Sequence, residues 1–357
     1  MKIALITDTH WGFKNDSQEI LEYFEKFYRD QFWPVIRDRN IKQIIHLGDI
    51  VDRRKYINYV TLNAFKTDFI SMLFSTGANL LVLVGNHDVP YRNTNSINAM
   101  NQLFSNDAMI TVISEPTVVE FDFCKIQLMP WINSGNYEKC ISILNKSKAD
   151  ILFGHLEIKG FEMHRGMPSQ DGFSRNIFDK FDLVCSGHFH RKSTNNNINY
   201  LGAPYELTWA DYDDARGFHI FDTQTRELEF IRNNVPLFKK IWYDDSDNDR
   251  NKVLNIDYSS FKDTYVKVIA QSKTNALWFE HFIDKLSKAK PIDIQIVDDH
   301  NNIDQLNDAS VIDNAEDTFS IINSCVNTIE GYDNIKDDLN TFMKQLYDDA
   351  IRMENIN

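Results

Sequence analysis

Five short apolar runs in this chain each stop at a residue type that binds metal. Residues 2–7 run into Asp8-Thr9-His10, and 44–47 into Gly48-Asp49. Residues 80–84 run into Gly85-Asn86-His87-Asp88, 151–153 into Gly154-His155, and 183–186 into Gly187-His188-Phe189-His190. Continuous apolar stretches of this length read as parallel strands buried on both faces. In open α/β sheets the functional crevice lies at the carboxyl ends of such strands. The pattern therefore predicts one sheet edge carrying Asp8, His10, Asp49, Asn86, His87, His155, His188 and His190. That donor set suits a catalytic metal site.

The surrounding texture sets the fold class. A helical stretch begins at Ser17-Gln18-Glu19, with Ile20, Leu21, Phe24, Phe27 and Tyr28 at helical spacing, and residues 59–74 repeat the pattern. After His190 the chain reads as strands at 198–201, 217–221 and 228–231. This order predicts a four-layer α/β/β/α sandwich over residues 1–243. The acidic stretch 244–249 reads as a linker. Residues 265–270, 277–287 and 292–297 read as a β-α-β unit within a second domain at 250–300. A further break at 298–302 precedes two amphipathic helices within 310–357, carried by Phe319, Ile322 and Val326, then Ile335, Leu339, Phe342, Met343 and Leu346. Two helices are too few for a core of their own, so they dock on this chain or on a partner.

Net charge bears on the substrate. The 357 residues sum to −14, but residues 233–357 hold 13 Lys+Arg against 23 Asp+Glu, a balance of −10. Residues 1–232 are left with −4, which two divalent ions would offset. The acidity argues against broad nucleic-acid coating by the C-terminal third, and not against phosphate chemistry in the first domain. Cys124, Cys140, Cys185 and Cys325 are scattered, without a C-x-x-C pair, as expected of a reducing compartment. No apolar run approaches the roughly 20 residues of a membrane span, and the N-terminus lacks a signal-peptide pattern. A cytoplasmic location follows as the expectation (host cytoplasm if the gene is a phage's).

The residue types divide naturally between two ions. Asp8, His10 and His190 suit one; Asn86, His155 and His188 suit the other; Asp49 can offer an oxygen to each. Mixed imidazole and carboxylate ligation favours Mn, Fe or Zn over Mg or Ca. His87 is kept apart from the metals as the group that protonates a leaving oxygen or stabilises charge, with Asp88 expected to hold its other ring nitrogen. Arg53 and Arg54 are candidates for gripping a phosphate. Phe13, Tyr91, Trp209 and Tyr212 are candidates for stacking bases. His46, His164, His219, His281 and His300 read as structural.

The set Asp8-x-His10, Gly48-Asp49, Gly85-Asn86-His87-Asp88, Gly154-His155 and Gly187-His188-x-His190 resembles the calcineurin-like metallophosphoesterase superfamily. Within it, Met129-Pro130-Trp131, Gly166-Met167, residues 200–204 and Arg216-Gly217-Phe218 resemble SbcD-type nuclease subunits of double-strand-break repair, the phage recombination endonuclease small subunits especially. That resemblance implies two Mn²⁺, with Mg²⁺ as the alternative, and DNA as substrate. It implies 3′→5′ exonuclease action on duplex ends and endonuclease action on single strands. It also implies a homodimer, a DNA-binding capping role for the β-α-β unit, and C-terminal helices that meet the coiled coil of an SbcC-type ABC ATPase. Some cellular members carry His three residues after the bridging Asp, where this chain has Asp52. Rival readings are a protein phosphatase, suggested by residues 48–53, a small-molecule phosphodiesterase, and a non-catalytic scaffold for an ATPase. The phosphatase reading sits poorly with Asp88 and with the closing Gly-His-x-His.

Overall fold

The computed structural model describes residues 1–104, 107–164, 167–247, 249 and 255–298, together with Val326, Lys336, Leu339, Thr341, Phe342, Met343 and Leu346. Two six-stranded sheets dominate it. The first has the spatial order Leu228–Arg232, Gly217–Asp222, Lys2–Ile6, Gln43–His46, Asn79–Leu83, Ile110–Ile113. Its last four strands are mutually parallel, and the other two are antiparallel additions. The second has the order Ser193–Asn195, Ile198–Tyr200, Leu183–Gly187, Ile151–His155, Cys124–Met129, Thr117–Phe121. Its central four strands are parallel and its two edges antiparallel.

Side-chain alternation along the strands creates the layers. Ile3, Leu5, Ile45, Leu47 and Leu83 of the first sheet meet Ile126, Leu128, Ile151, Phe153 and Cys185 of the second, forming a core between the sheets. Ala4, Ile6, Ile44 and Val82 point the other way, against Phe24, Phe27, Phe32, Phe65 and Phe69 of an outer helical layer. Leu152 and Val184 likewise meet Cys140 and Leu144 of the helix Tyr137–Lys146. The architecture is the four-layer α/β/β/α sandwich expected from the sequence. Every strand that ends in the candidate donors is buried on both faces, which is why no polar alternation interrupted those runs.

The outer helices carry two π turns. Ser17 caps the first helix by accepting the Ile20 N–H, and Gln18–Phe27 continues through Tyr28–Phe32 into Trp33–Asp38. Pro34 has no N–H to give, and the Trp33 N–H reaches back to the Tyr28 carbonyl, widening the turn where large rings crowd together. The second helix starts at the Asn58 cap, contains the π turn Phe65–Ile70, and stops at Gly77, whose φ of 63° is left-handed.

A three-stranded parallel sheet follows, ordered Phe238–Asp244, Tyr265–Ser272, Asp293–Asp298, with the helix Ala276–Lys288 packed on one face through Phe282 and Leu286. The β-α-β unit expected from 265 onward is present, but it gains a strand from before the expected break at 244. The reason is Asp245, which is fully buried and is no linker residue. Its carboxylate accepts the N–H groups of Thr274 and Asn275, both at 2.8 Å, and the hydroxyls of Thr274 and Tyr243. The acidic composition of 244–249 thus hid a structural turn. Residue 248 of the expected linker, residues 250–254 and 299–300 of the expected second domain, and most of 310–357, where the two terminal helices were expected, lie outside the described residues. Among the described residues, no helix is long and apolar enough to cross a membrane.

Candidate metal centre

The five donor-bearing strands belong to two sheets, three in the first and two in the second, and not to the single sheet expected; they are parallel within each sheet, and their carboxyl ends gather at one edge of the sandwich. The loops there knit together through the backbone: the Asp8 N–H donates to the Gly48 carbonyl at 3.0 Å, and the Thr9 N–H to that of Asp49 at 2.9 Å. Four donors leave their strands in left-handed conformations, Asp8 at φ 52°, His10 at 42°, Asp49 at 56° and His188 at 87°. Backbone strain of this kind, over-determined by surrounding contacts, clusters at functional sites. The glycines before the donors have a steric cause. A Cβ at Gly85 would collide with the Asp49 carboxylate, and one at Gly187 with the Thr7 hydroxyl.

Three groups of donors result. Asp8, His10 and His190 form the first, Asp49, His155 and His188 the second, and His10, Asp52 and His87 a third that shares His10 with the first, with each group's donor atoms lying within 4.8 Å of one another. His10 and His190 face each other through Nε2 at 3.0 Å. In the second group Asn86 Oδ1 lies 2.9 Å from both His155 Nε2 and His188 Nδ1, and Asp49 Oδ2 lies 3.2 Å from His155 Nε2. The first two groups adjoin: the Asp8 carboxylate accepts the His188 N–H at 3.1 Å. Supporting contacts aim the donors. His155 Nδ1 sits 2.8 Å from the Leu47 carbonyl, which leaves Nε2 to face the centre. Arg216, almost fully buried, donates to the His190 carbonyl and pairs with Asp211.

Electrostatically the centre is primed for cations. Burial pushes the Asp8 carboxyl up to about 6, with the Asp49 carboxylate adding to the effect. Burial also opposes charge on Asp49, but His155 and His87 hold it well below the carboxylate range. His155 rises to about 9 despite its burial, because Asp49 and Asp8 favour its protonated form. Two buried carboxylates balanced by a proton on an imidazole form a set from which a divalent ion would displace that proton. The donors present therefore fit two divalent ions: oxygen and nitrogen atoms converge in two adjoining groups, with Asn86 as a neutral oxygen in the second.

His87 stands beside the first two groups and belongs to the third. Its ring centroid is 4.8 Å from that of His10, its N–H donates to Asp49 Oδ1 at 2.8 Å, and its Nδ1 lies 2.6 Å from the Asp52 carbonyl oxygen. The expectation that Asp88 holds the His87 ring is corrected. The fully buried Asp88 carboxylate instead accepts the N–H groups of Gly85, Asp49, Ile50 and Val51 at 2.8 to 3.2 Å, pinning the Asp49 loop. Adjacent residues on a turn point apart, and a carboxylate meeting four donors has no reason to turn toward a ring. Arg53 also departs from expectation: it pairs with Asp16 at 3.2 Å and bonds Asn15 and Tyr56. Arg54 is half-buried nearby.

Of the aromatic candidates, Phe13, Trp209 and Tyr212 pack on the helical-layer core, while Tyr91 is exposed. Lys267 lies over Trp209 and Lys240 over Tyr212, at the junction with the small sheet. The ring that does reach the centre is Trp131, 5.0 Å from His188 and 6.0 Å from His155. Its Met-Pro-Trp context was the signal available in the sequence. His46 is structural as expected, bridging Thr9 and Gly48 beneath the donor loops, and burial lowers it to about 3.

Comparison with known proteins agrees with this geometry. Residues 1–192 match the family model for calcineurin-like phosphoesterases. The chain belongs to that family. This phosphoesterase is 34% identical over 290 residues to exonuclease subunit 1 of Enterobacteria phage T4, spanning 80% of the chain and 82% of that protein. It is 22% identical over 331 residues to the SbcD component of nuclease SbcCD from Staphylococcus epidermidis, spanning 82% and 83%. The same component from Staphylococcus saprophyticus is 23% identical over 261 residues, spanning 64% and 67%.

Proposed function

We propose that this phosphoesterase is the nuclease subunit of a DNA recombination or repair complex, hydrolysing phosphodiesters with two divalent ions. The observation that carries the reading is the convergence of Asp8, His10 and His190 with Asp49, Asn86, His155 and His188 at one edge of the two-sheet sandwich, with His87 alongside. The names of its relatives, an exonuclease subunit and SbcCD nuclease subunits, support a nucleic acid over other phosphoesters.

Asp8, His10 and His190 would hold one ion, Asn86, His155 and His188 the other, and Asp49 would serve both. When bound, such a pair stabilises charge on the phosphate and lowers the pKa of water; Mn²⁺ suits the mixed donors, with Mg²⁺ as the alternative. The chain's own contribution is a proton at the leaving oxygen. With Nδ1–H held by the Asp52 carbonyl, His87 offers Nε2 for that transfer, and Asp49 Oδ1 fixes its backbone. Asp88 keeps the Asp49 loop from relaxing. Arg54 is a candidate for a phosphate contact.

The finer attributes rest on the resemblance to SbcD-type subunits: 3′→5′ exonuclease action on duplex ends, endonuclease action on single strands, a homodimer and an SbcC-type ABC ATPase partner; the scattered cysteines support a cytoplasmic location. The small three-stranded unit would cap the DNA. Incubating the purified chain with Mn²⁺ or EDTA on end-labelled duplex, single-stranded circles and a phosphopeptide tests the reading. Mn²⁺-dependent DNA cleavage is expected, and phosphopeptide turnover with intact DNA would move the protein to the phosphatase reading.

A further inference from the structure

A cleft of about 420 Å³ opens beside His155, walled by Trp131, Tyr137, Glu157, Phe173 and Ile177. Trp131 is the wall it shares with the metal centre, since that ring also lies against His188 and His155. On the far side Tyr137 and Phe173 are stacked, 5.9 Å apart and 13° from parallel. Tyr137 opens the helix Tyr137–Lys146 and remains 46% exposed.

The walls are fixed by the backbone. The Phe173 N–H donates to the Glu157 carbonyl at 2.8 Å, and the Lys159 N–H to that of Phe173 at 3.0 Å. Gly172, at φ 97°, makes this pairing feasible, because a Cβ there would run into the Glu157 carbonyl. The Trp131 carbonyl accepts the side-chain amides of Asn95 and Asn136 at 2.8 and 3.0 Å, and its N–H donates to Val84. Aromatic faces held this way form a preorganised stacking surface.

We propose that this cleft takes the base of a nucleotide flanking the scissile phosphate, an inference that rests on the nuclease reading. The size suits a nucleobase, falling within the roughly 300–1,000 Å³ of small-molecule sites. Glu157 supplies a polar residue to the wall. A base inside a duplex cannot reach a side cleft without leaving its stack, so the site selects single-stranded or frayed DNA. Recognition by ring faces with one polar group at the wall tolerates every base.

The test compares hydrolysis of thymidine 5′-(p-nitrophenyl phosphate) and methyl p-nitrophenyl phosphate by the Mn²⁺-loaded full chain, in wild type, Phe173→Ala and Tyr137→Ala. The two diesters share a leaving group and differ in the nucleoside. Wild type should show a KM for the thymidine ester lower by about tenfold, the scale of one base–aromatic stack, and each variant should shrink that ratio toward one. Tyr137 is exposed enough that its variant should fold even if Phe173→Ala does not. A wild-type ratio near one, or a ratio that survives both variants, overturns the inference. So does a Phe173 dependence found for phosphotyrosine and not for the thymidine ester. If the thymidine preference appears in a protein that leaves DNA intact, the cleft stands and the nuclease reading falls; DNA cleavage without the preference gives the reverse.

Discussion

The Nδ1 of His87 lies 2.6 Å from the carbonyl oxygen of Asp52, whose carboxylate in turn lies 3.4 Å from Nδ1 of His10. One residue thus touches both the proposed proton donor and a proposed metal ligand, the first through its backbone and the second through its side chain. Substitution at 52 separates the two. Asp52→Asn keeps the carbonyl and so the His87 tautomer, but weakens the support behind His10. Mn²⁺ affinity by calorimetric titration should fall about tenfold, the lower end for lost carboxylate–histidine support. An affinity equal to wild type would remove Asp52 from that role.

Asp88 should prove a stability residue. Asp88→Ala strands four buried N–H groups, at a cost of about 3 kcal/mol or more. Urea denaturation of the metal-free protein measures it. A loss under about 1 kcal/mol would mean that the loop at 49–51 does not depend on the carboxylate.

Metal uptake should release protons. In the metal-free protein His155 is raised to about 9, so the stability its protonation contributes is complete below about 6.5 and is lost as pH rises through 9. Asp8, raised to about 6, acts likewise between about 3.8 and 6. The melting temperature without metal should therefore decline between pH 6.5 and 9, and Mn²⁺ should protect most strongly at the alkaline end. Titrations at pH 7.5 in buffers of differing ionisation enthalpy should detect about one proton released on binding. Mn²⁺ binding without proton release would contradict the charge state assigned to His155.

Asp245 should anchor the small sheet. Asp245→Ala removes the acceptor for the N–H groups of Thr274 and Asn275 ahead of the helix Ala276–Lys288. Hydrogen exchange should accelerate at least tenfold in Tyr265–Ser272 and stay unchanged in Lys2–Ile6. Unchanged protection in Tyr265–Ser272 would show that the turn is held by other contacts.

The sandwich and the gathering of donors were legible because a strand buried on both faces writes itself as an uninterrupted apolar run, and because parallel strands share one carboxyl edge. Side-chain direction was not legible. Asp88 follows His87 in the chain, yet the turn aims its carboxylate at the Asp49 loop, and only the fold reveals four N–H groups waiting there. Asp245 sat in a stretch whose composition said linker while its individual contacts made it the closing turn of a sheet. Arg53 could be read as a phosphate ligand until the fold brought Asp16 within 3.2 Å of it. Trp131 carried no spacing rule at all; its importance arises from the meeting of two sheets.

In the proposed mechanism five strand ends build one two-ion centre, with His87 beside the ions and not among their ligands. Mn²⁺ stoichiometry by equilibrium dialysis, run beside DNA cleavage for wild type, His87→Ala and His188→Ala, tests this most directly. Two ions per chain are expected in wild type and His87→Ala, with cleavage lost by at least a hundredfold in His87→Ala, and one ion in His188→Ala. Loss of an ion in His87→Ala, or two ions retained in His188→Ala, would contradict it.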